Sequence, residues 1–223
     1  MTKTTHSESV ENFLKAVYTL QQGTERVSTN TLRDVLNITA PSVTDMAQRM
    51  VTLGYVDYQK YQGVLLTPKG RAIALQVIRR HRLIELYLVR ELGYALHEVH
   101  EEAEALEHAV SDHFIEALAR KLGDPGFDPH GDPIPTAEGV IESARELVPL
   151  SALTVGDLAV VAQFKSSDRD MLQHMLDRGF NLNASIEVTA VDPFEGPISV
   201  RIDGTERMVG RQVAECILVQ KEA

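Results

Sequence analysis

The stretch STNTLRDVLNITAPSVTDMAQRMVTLGYVDYQKYQGVLLTPKG, residues 28–70, decides the N-terminal fold. Ser28 or Thr29 can cap a short helix, 31–36, in which Leu32, Val35 and Leu36 fall at helical spacing. Asn37-Ile38-Thr39 makes a tight connection. Thr39 then caps a second helix, 41–53, with Pro41 in its first turn, where a missing N–H costs nothing. Val43, Met46, Ala47 and Met50 share the inner face of that helix, and Ser42, Thr44, Asp45, Gln48 and Arg49 the outer face. Gly54 stops it. Residues 55–67, rich in Tyr and Val, read as two strands around a turn, and Pro68-Lys69-Gly70 opens a further helix.

Two short helices followed by a hairpin form the winged helix-turn-helix pattern. In that pattern the N-terminal turn of the second helix enters the DNA major groove, and the wing rests on phosphates. Thr39, Ser42, Thr44, Asp45 and Gln48, with Pro41 in the same turn, are then the base-facing candidates. Arg49 and Lys60 are the phosphate-facing ones. The competing reading is a small α+β domain that binds a protein.

Upstream, 9–22 places Val10, Phe13, Leu14, Val17 and Tyr18 at helical spacing and ends at Gly23. Downstream, 71–91 is a long helix carrying His81 and Glu85 as an i, i+4 pair on one face. Residues 97–113, HEVHEEAEALEHAVSDH, read as the start of a helix that continues to about Leu122. There His100, Glu104, Glu107 and His108 share a face beside an apolar stripe of Val99, Ala103, Leu106, Val110 and Phe114. Glu101, Glu102, Glu104 and Glu107 crowd one another and repel at helical neighbour spacing. A divalent cation turns that repulsion into attraction, and mixed imidazole and carboxylate donors suit first-row transition metals. Packed antiparallel, the two helices bring His81 and Glu85 toward His100, which makes two neighbouring sites. Phe114, Ile115, Leu118, Ala119 and Leu122 form an apolar tail for a self-complementary dimer interface. The bland alternative is a solvated Glu-rich face with hydrogen-bonded histidines.

Composition sets bounds. The chain has 223 residues, 43% hydrophobic and 24% charged, as in soluble globular proteins. No apolar run approaches the roughly 18 residues of a membrane span. The single cysteine, Cys216, has no internal partner, which points to a reducing, cytoplasmic compartment. The net charge of −10 is unevenly spread. Residues 1–73 hold eight Lys/Arg against six Asp/Glu, whereas 74–149 hold seven against fifteen and 150–223 seven against eleven. The N-terminal third is therefore free to approach a phosphate backbone.

The last third reads as short strands at 158–164, 185–191, 198–202, 207–209 and 216–219, with a helix over 166–177. Turn signals fall at Asp192-Pro193-Phe194-Glu195-Gly196-Pro197 and Asp203-Gly204. A small SH3-like barrel fits. Residues 139–147 look like a short helical linker.

Together these pieces resemble the diphtheria toxin repressor family of metal-dependent regulators, which includes iron-dependent repressors and manganese transport regulators. The resemblance rests on TAPSVT (39–44), LTPKG (66–70), RHRL (80–83), VHEEA (99–103), LEH (106–108) with Ser111-Asp112, and GDPIP (131–135). It covers nearly the whole chain. It implies a mainly α chain with a small amount of β structure. The three parts are a winged helix-turn-helix domain (1–73), a helical metal-binding and dimerisation domain (74–149) and an SH3-like, FeoA-like barrel (150–223). It further implies an ancillary metal site at His81, Glu85 and His100. The implied primary site holds Glu104, Glu107, His108 and a first-helix position that falls on Asn12, with Glu11 beside it. Glu104 stands where iron-type members carry Cys and manganese-type members an acid, so Mn(II) is expected, with Fe(II) as the alternative. In longer members the last domain lends a ligand; the matching positions lie near Gln163 and Ser166, with Asp168 close by.

The expected mechanism is linkage. Metal draws a loosely held first helix onto the Glu104-Glu107-His108 helix and sets the two recognition helices of a dimer about 34 Å apart, or a multiple of that, on a palindromic operator. Two rivals belong to other classes. A metal hydrolase lacks a His-Glu-x-x-His motif here. A winged-helix sensor of an organic ligand would leave the His/Glu cluster structural.

Overall fold

The structure, a computed structural model, describes residues 6–21, 23–142, 145–166 and 168–222. These form two compact units. One runs through His81 and takes in Leu106–Asp112 and Pro135–Val140; the other holds Arg82–Ala105, His113–Ile134 and the chain from Ile141 onward.

The first unit opens with α1 (Glu8–Leu20), α2 (Thr29–Leu36) and α3 (Ala40–Thr52), then β1 (Val56–Gln59) and β2 (Gly63–Leu66). Gln22, expected within the first helix, lies outside the described residues. Local chemistry sets the boundaries. The Ser28 hydroxyl accepts the Thr31 N–H, and the Thr39 hydroxyl accepts the Ser42 N–H, so both helices of the pair begin on their predicted caps. Asn37 takes the left-handed conformation that ends α2. The hairpin pairs Val56 with Leu66 and Gln59 with Gly63. Gly63 is required: its φ is +111°, and a Cβ there would lie 2.2 Å from the Val27 carbonyl oxygen. Phe13, Leu14, Val17, Leu32, Val43, Ala47, Met50 and Val64 close the core between helices and wing.

Helix α4 (Pro68–Leu92) starts on Thr67, whose hydroxyl accepts the Gly70 N–H. The single long helix expected from 97 to 122 is instead two: α5 (Val99–Glu107) and α6 (Asp112–Lys121). At the break a side chain takes up the freed carbonyl. Arg80 Nη1 donates to the Glu107 carbonyl oxygen at 3.1 Å, which is the acceptor a continuing helix would offer to Ser111. The apolar tail is also mostly used within the chain. Ile115, Leu118, Ala119 and Leu122 are buried, and of the expected dimer surface Phe114 stays half exposed.

The second unit carries β3 (Val148–Pro149), β4 (Leu158–Phe164), α7 (Arg169–Asp177), β5 (Ser185–Val191), β6 (Ile198–Ile202), β7 (Thr205–Val209), α8 (Arg211–Cys216) and β8 (Ile217–Lys221). Its described residues show no helix in 139–147; Ser143 and Ala144 lie outside them, as does Ser167. Helix α7 begins at Asp168, which accepts the Met171 N–H, so Ser166 precedes the helix. The strands form one antiparallel sheet in the order β3-β8-β4-β5-β6-β7. It is an open sheet with β3 and β7 at its edges, and this corrects the expected closed barrel. The β6–β7 register is set by Asp203-Gly204, both at positive φ, the two-residue turn that suits a twisted hairpin. Phe164, Phe180, Leu172, Met175, Ile198 and Ile217 fill the core.

Candidate metal centre

Two clusters of buried ionisable groups stand out, one in each unit. In the first, α1 presents Glu11, Asn12 and Lys15, α4 presents Arg80 and His81, and the end of α5 presents Glu107 and His108. Glu107 is completely buried. Its oxygens lie 2.9 Å from Lys15 Nζ, 2.6 Å from His81 Nδ1 and 3.3 Å from His108 Nε2. Burial pushes its carboxyl up, but the His81 hydrogen bond and the charges of Lys15 and His81 outweigh that and hold it below the ordinary range. His108 reaches both first-helix candidates at once: Nδ1 is 2.6 Å from Glu11 Oε2, and Nε2 is 2.8 Å from Asn12 Oδ1. Arg80 holds the other side of Glu11 at 3.1 Å.

This geometry revises the expected mechanism. The acidic groups between the first helix and the Glu107-His108 segment are paired with cations. Arg80 and Lys15 neutralise Glu11 and Glu107, and these contacts tie α1 to the Glu107-His108 segment. Glu101, Glu102 and Glu104 are exposed instead.

In the second cluster Glu85 is the hub. Its oxygens lie 3.3 Å from His100 Nδ1 and 3.6 Å from His130 Nδ1, and Glu104 reaches His100 Nε2 at 3.7 Å. Glu85, Asp128 and His130 each bring a ligand atom within 4.8 Å of the others, and all three are buried. Asp128 and His130 were missed in the sequence, although Asp128-Pro129-His130 directly precedes the GDPIP segment. The loop is built around Asp128, whose Oδ1 accepts the N–H groups of His130 and Asp132 at 2.8 and 2.9 Å. Gly131, at φ +89°, passes so close to the Ala162 carbonyl that a side chain is excluded. Burial, then the charges of Asp132 and Glu85, push the Asp128 carboxyl up to about 7. Burial lowers His130, but the hydrogen bond and charge of Glu85 and the charges of Asp128 and Asp132 raise it overall. Its Nε2 is buried with no hydrogen-bond partner among the described residues. A buried, orphaned imidazole nitrogen beside two carboxylates fits a metal ion. Gln163 donates to Asp132 Oδ1 at 3.0 Å, and Arg82 Nη2 holds the same oxygen at 3.2 Å.

On the helix-turn-helix, Pro41, Ser42, Asp45, Gln48 and Arg49 are exposed on α3. Thr39 and Ser42 share a hydroxyl contact of 2.8 Å, and Thr44 is half-buried with its hydroxyl on the Ala40 carbonyl. At the wing tip the Lys60 ammonium lies 5.0 Å from the ring centre of the exposed Tyr61.

Three family models match the chain: the iron dependent repressor N-terminal DNA binding domain over residues 5–64, the iron dependent repressor metal binding and dimerisation domain over 67–136, and the FeoA domain over 148–221. The iron-dependent repressor IdeR of Mycobacterium leprae is 30% identical over 226 residues, which covers 96% of this chain and 97% of that one. The chain belongs to the diphtheria toxin repressor family of metal-dependent transcriptional repressors. Among solved structures, a manganese-dependent transcriptional repressor in complex with manganese is 38% identical with a TM-score of 0.87, covering 96% of this chain and 100% of that one. The manganese regulator SloR is 31% identical with a TM-score of 0.75, covering 96% and 98%. Within the family's metal-binding segment lie His81, Glu85, His100, Glu104, Glu107 and His108, together with Asp128 and His130. Glu11 and Asn12 fall in the DNA-binding segment, and Gln163 in the FeoA segment.

Proposed function

We propose that this chain is a manganese-activated repressor without enzymatic activity of its own, acting in the cytoplasm as a homodimer on a palindromic operator. Residues 1–73 read DNA, 74–149 sense metal and dimerise, and 150–223 support the sensing unit through Gln163. One observation carries the choice of metal: every candidate ligand is a carboxylate, an amide oxygen or an imidazole, and the single cysteine, Cys216, stands apart on α8. Carboxylate and amide oxygens suit Mn(II), and the set holds no thiolate of the kind that selects softer ions.

Two sites per subunit follow. The first uses Glu107 and His108, with His81 and with Glu11 or Asn12. The second uses Glu85 and His100, with Glu104 on His100, extended by Asp128 and His130. A bound divalent ion supplies one point of positive charge that several such donors share. The protein's own residues do the rest. Glu11 and Asn12 couple α1 to His108, and α1 packs in the same core as α3, so the orientation of the DNA-reading helix depends on that coupling. Ser42, Asp45 and Gln48 read base edges, with Thr39, Pro41 and Thr44 shaping the turn, while Arg49 and Lys60 meet phosphates.

The test is fluorescence anisotropy on a palindromic duplex selected from a random pool. Binding is expected with Mn(II), is lost in chelator, and loses its metal dependence in Glu107→Ala/His108→Ala with helicity retained. Equal binding in chelator and in Mn(II) overturns the reading. Parallel anaerobic titrations with Fe(II) rank the two metals.

A further inference from the structure

Lys15 stands one turn beyond Glu11 on α1 and reaches inward with only 17% of its side chain exposed. Its ammonium makes three short contacts: 2.9 Å to each oxygen of Glu107 and 3.2 Å to His81 Nδ1. The two carboxylate oxygens are donors a metal cation would use, and the imidazole beside them would join once its Nδ1 no longer donates to Glu107. An ammonium offers three donors and no preferred geometry, so it substitutes for such a cation as a point charge. Arg80 plays a different part on the neighbouring carboxylate. Its guanidinium also braces the Glu107 carbonyl and so belongs to the backbone frame. These contacts of the Lys15 head are to side-chain groups that are themselves ligand candidates. A flexible four-carbon stem lets it leave without disturbing a helix.

We propose that Lys15 is a tethered competitor of the metal ion. It neutralises the fully buried Glu107 in the metal-free protein, and it must swing away before Glu107 can face an ion. Lys15 thereby sets the metal concentration at which the regulator responds. The proposal rests on the reading that Glu107 and His108 hold metal. It adds a cost to metal binding and removes the penalty of an unpaired buried carboxylate when metal is absent.

The experiment is calorimetric titration of the metal-free full chain with Mn(II), for wild type, Lys15→Met, Lys15→Arg and Glu107→Ala/His108→Ala. Lys15→Met removes the charge at similar volume. It is expected to tighten binding at the Glu107 site by about tenfold, the size of one charge-assisted contact, and to lower the melting temperature in chelator. Lys15→Arg is expected to show no tightening. Unchanged or weaker affinity in Lys15→Met overturns the proposal while leaving the metal reading intact. Failure of the double variant to lose one equivalent of Mn(II) overturns the metal reading itself, and the proposal with it. Should Lys15→Met not fold, wild-type protein gives the answer by reductive methylation and mass spectrometry. Labelling of Lys15 relative to Lys60 is expected to rise several-fold on adding Mn(II), and an unchanged ratio overturns the proposal.

Discussion

Asp128→Asn isolates the charge of one buried carboxyl from its structural work. The amide oxygen of Asn accepts the same two N–H groups, from His130 and Asp132, so the loop keeps its shape. What changes is ionisation. The carboxyl titrates near 3.8 in an unfolded chain and is pushed up to about 7 here, a difference worth about 4 kcal/mol when the group is forced to ionise. The sign follows from the direction. A group whose folded value is raised contributes fully below its unfolded value, and that contribution is lost as pH rises through the folded value. Metal-free wild type therefore loses stability between about pH 4 and pH 7 through this group. The raised His130 acts in the same sense, losing its contribution as pH rises beyond its ordinary value. Arg82 Nε, 3.6 Å from Asp128 Oδ2, lowers the carboxyl, but burial and the charges of Asp132 and Glu85 outweigh it. Urea denaturation in chelator at pH 5 and pH 8 reads the effect. About 2 of the 3.2 pH units between the two values lie above pH 5, so Asp128→Asn is expected to gain about 2–3 kcal/mol relative to wild type at pH 8 over its difference at pH 5. The same variant is expected to bind less Mn(II). A variant that is equally destabilised at both pH values refutes the assignment of the raised carboxyl to Asp128.

Three further outcomes are expected. Gly63→Ala forces a Cβ to within 2.2 Å of the Val27 carbonyl at a φ of +111°, so the wing must shift; a loss of about 2 kcal/mol or more in thermal melts is expected, with weaker operator binding at fixed metal. Lys60→Ala is expected to weaken binding across all duplexes and to lower the salt slope of log K by about 1, whereas Gln48→Ala relaxes sequence preference with the slope unchanged, both measured by anisotropy across a salt series. Glu85→Gln leaves His100 and His130 without their shared carboxylate charge, and one equivalent of Mn(II) is expected to disappear from calorimetric titrations while the Glu107 site still fills.

The parts of this molecule that local chemistry dictates were legible in the sequence. Ser28, Thr39, Pro41 and Gly54 mark the ends of α2 and α3 because caps and stops act within one turn. Asp203-Gly204 announces its hairpin for the same reason. What the sequence concealed was decided at long range. At the break after Glu107 the freed carbonyl is capped by Arg80, which lies on another helix, and helical periodicity carries no trace of that hydrogen bond. Asp128 and His130 face Glu85 only because a loop brings them to it, so their signal was an Asp-Pro-His-Gly run and nothing periodic. Helix α8, at six residues, is too short to show a period, and the sequence reading leaves 211–215 unassigned and places Cys216 in the strand that follows. Strand count and alternation fitted an SH3-like domain, but alternation is the same in an open and a closed sheet, so closure could not be read from it.

The two clusters hold their buried carboxylates by different means, and this difference separates their responses. Around Glu107 the compensating charge is a lysine, and the carboxyl is held low, so it is ionised throughout the neutral range. A metal entering there displaces an ammonium and releases no proton from Glu107. Around Asp128 the compensation is a proton, with Glu85, Asp132, Arg82 and His130 as the surrounding charges, and the carboxyl titrates near neutrality. A metal entering there displaces that proton, so its affinity must fall as pH drops from about 8 to 6. Titrations of Glu85→Gln and of Glu107→Ala/His108→Ala across that range separate the two sites. The site remaining in the double variant is expected to depend more steeply on pH than the site remaining in Glu85→Gln, because Asp128 and His130 both give up protons there. Identical pH slopes at both sites would show that the compensating charges do not control how each cluster takes up metal.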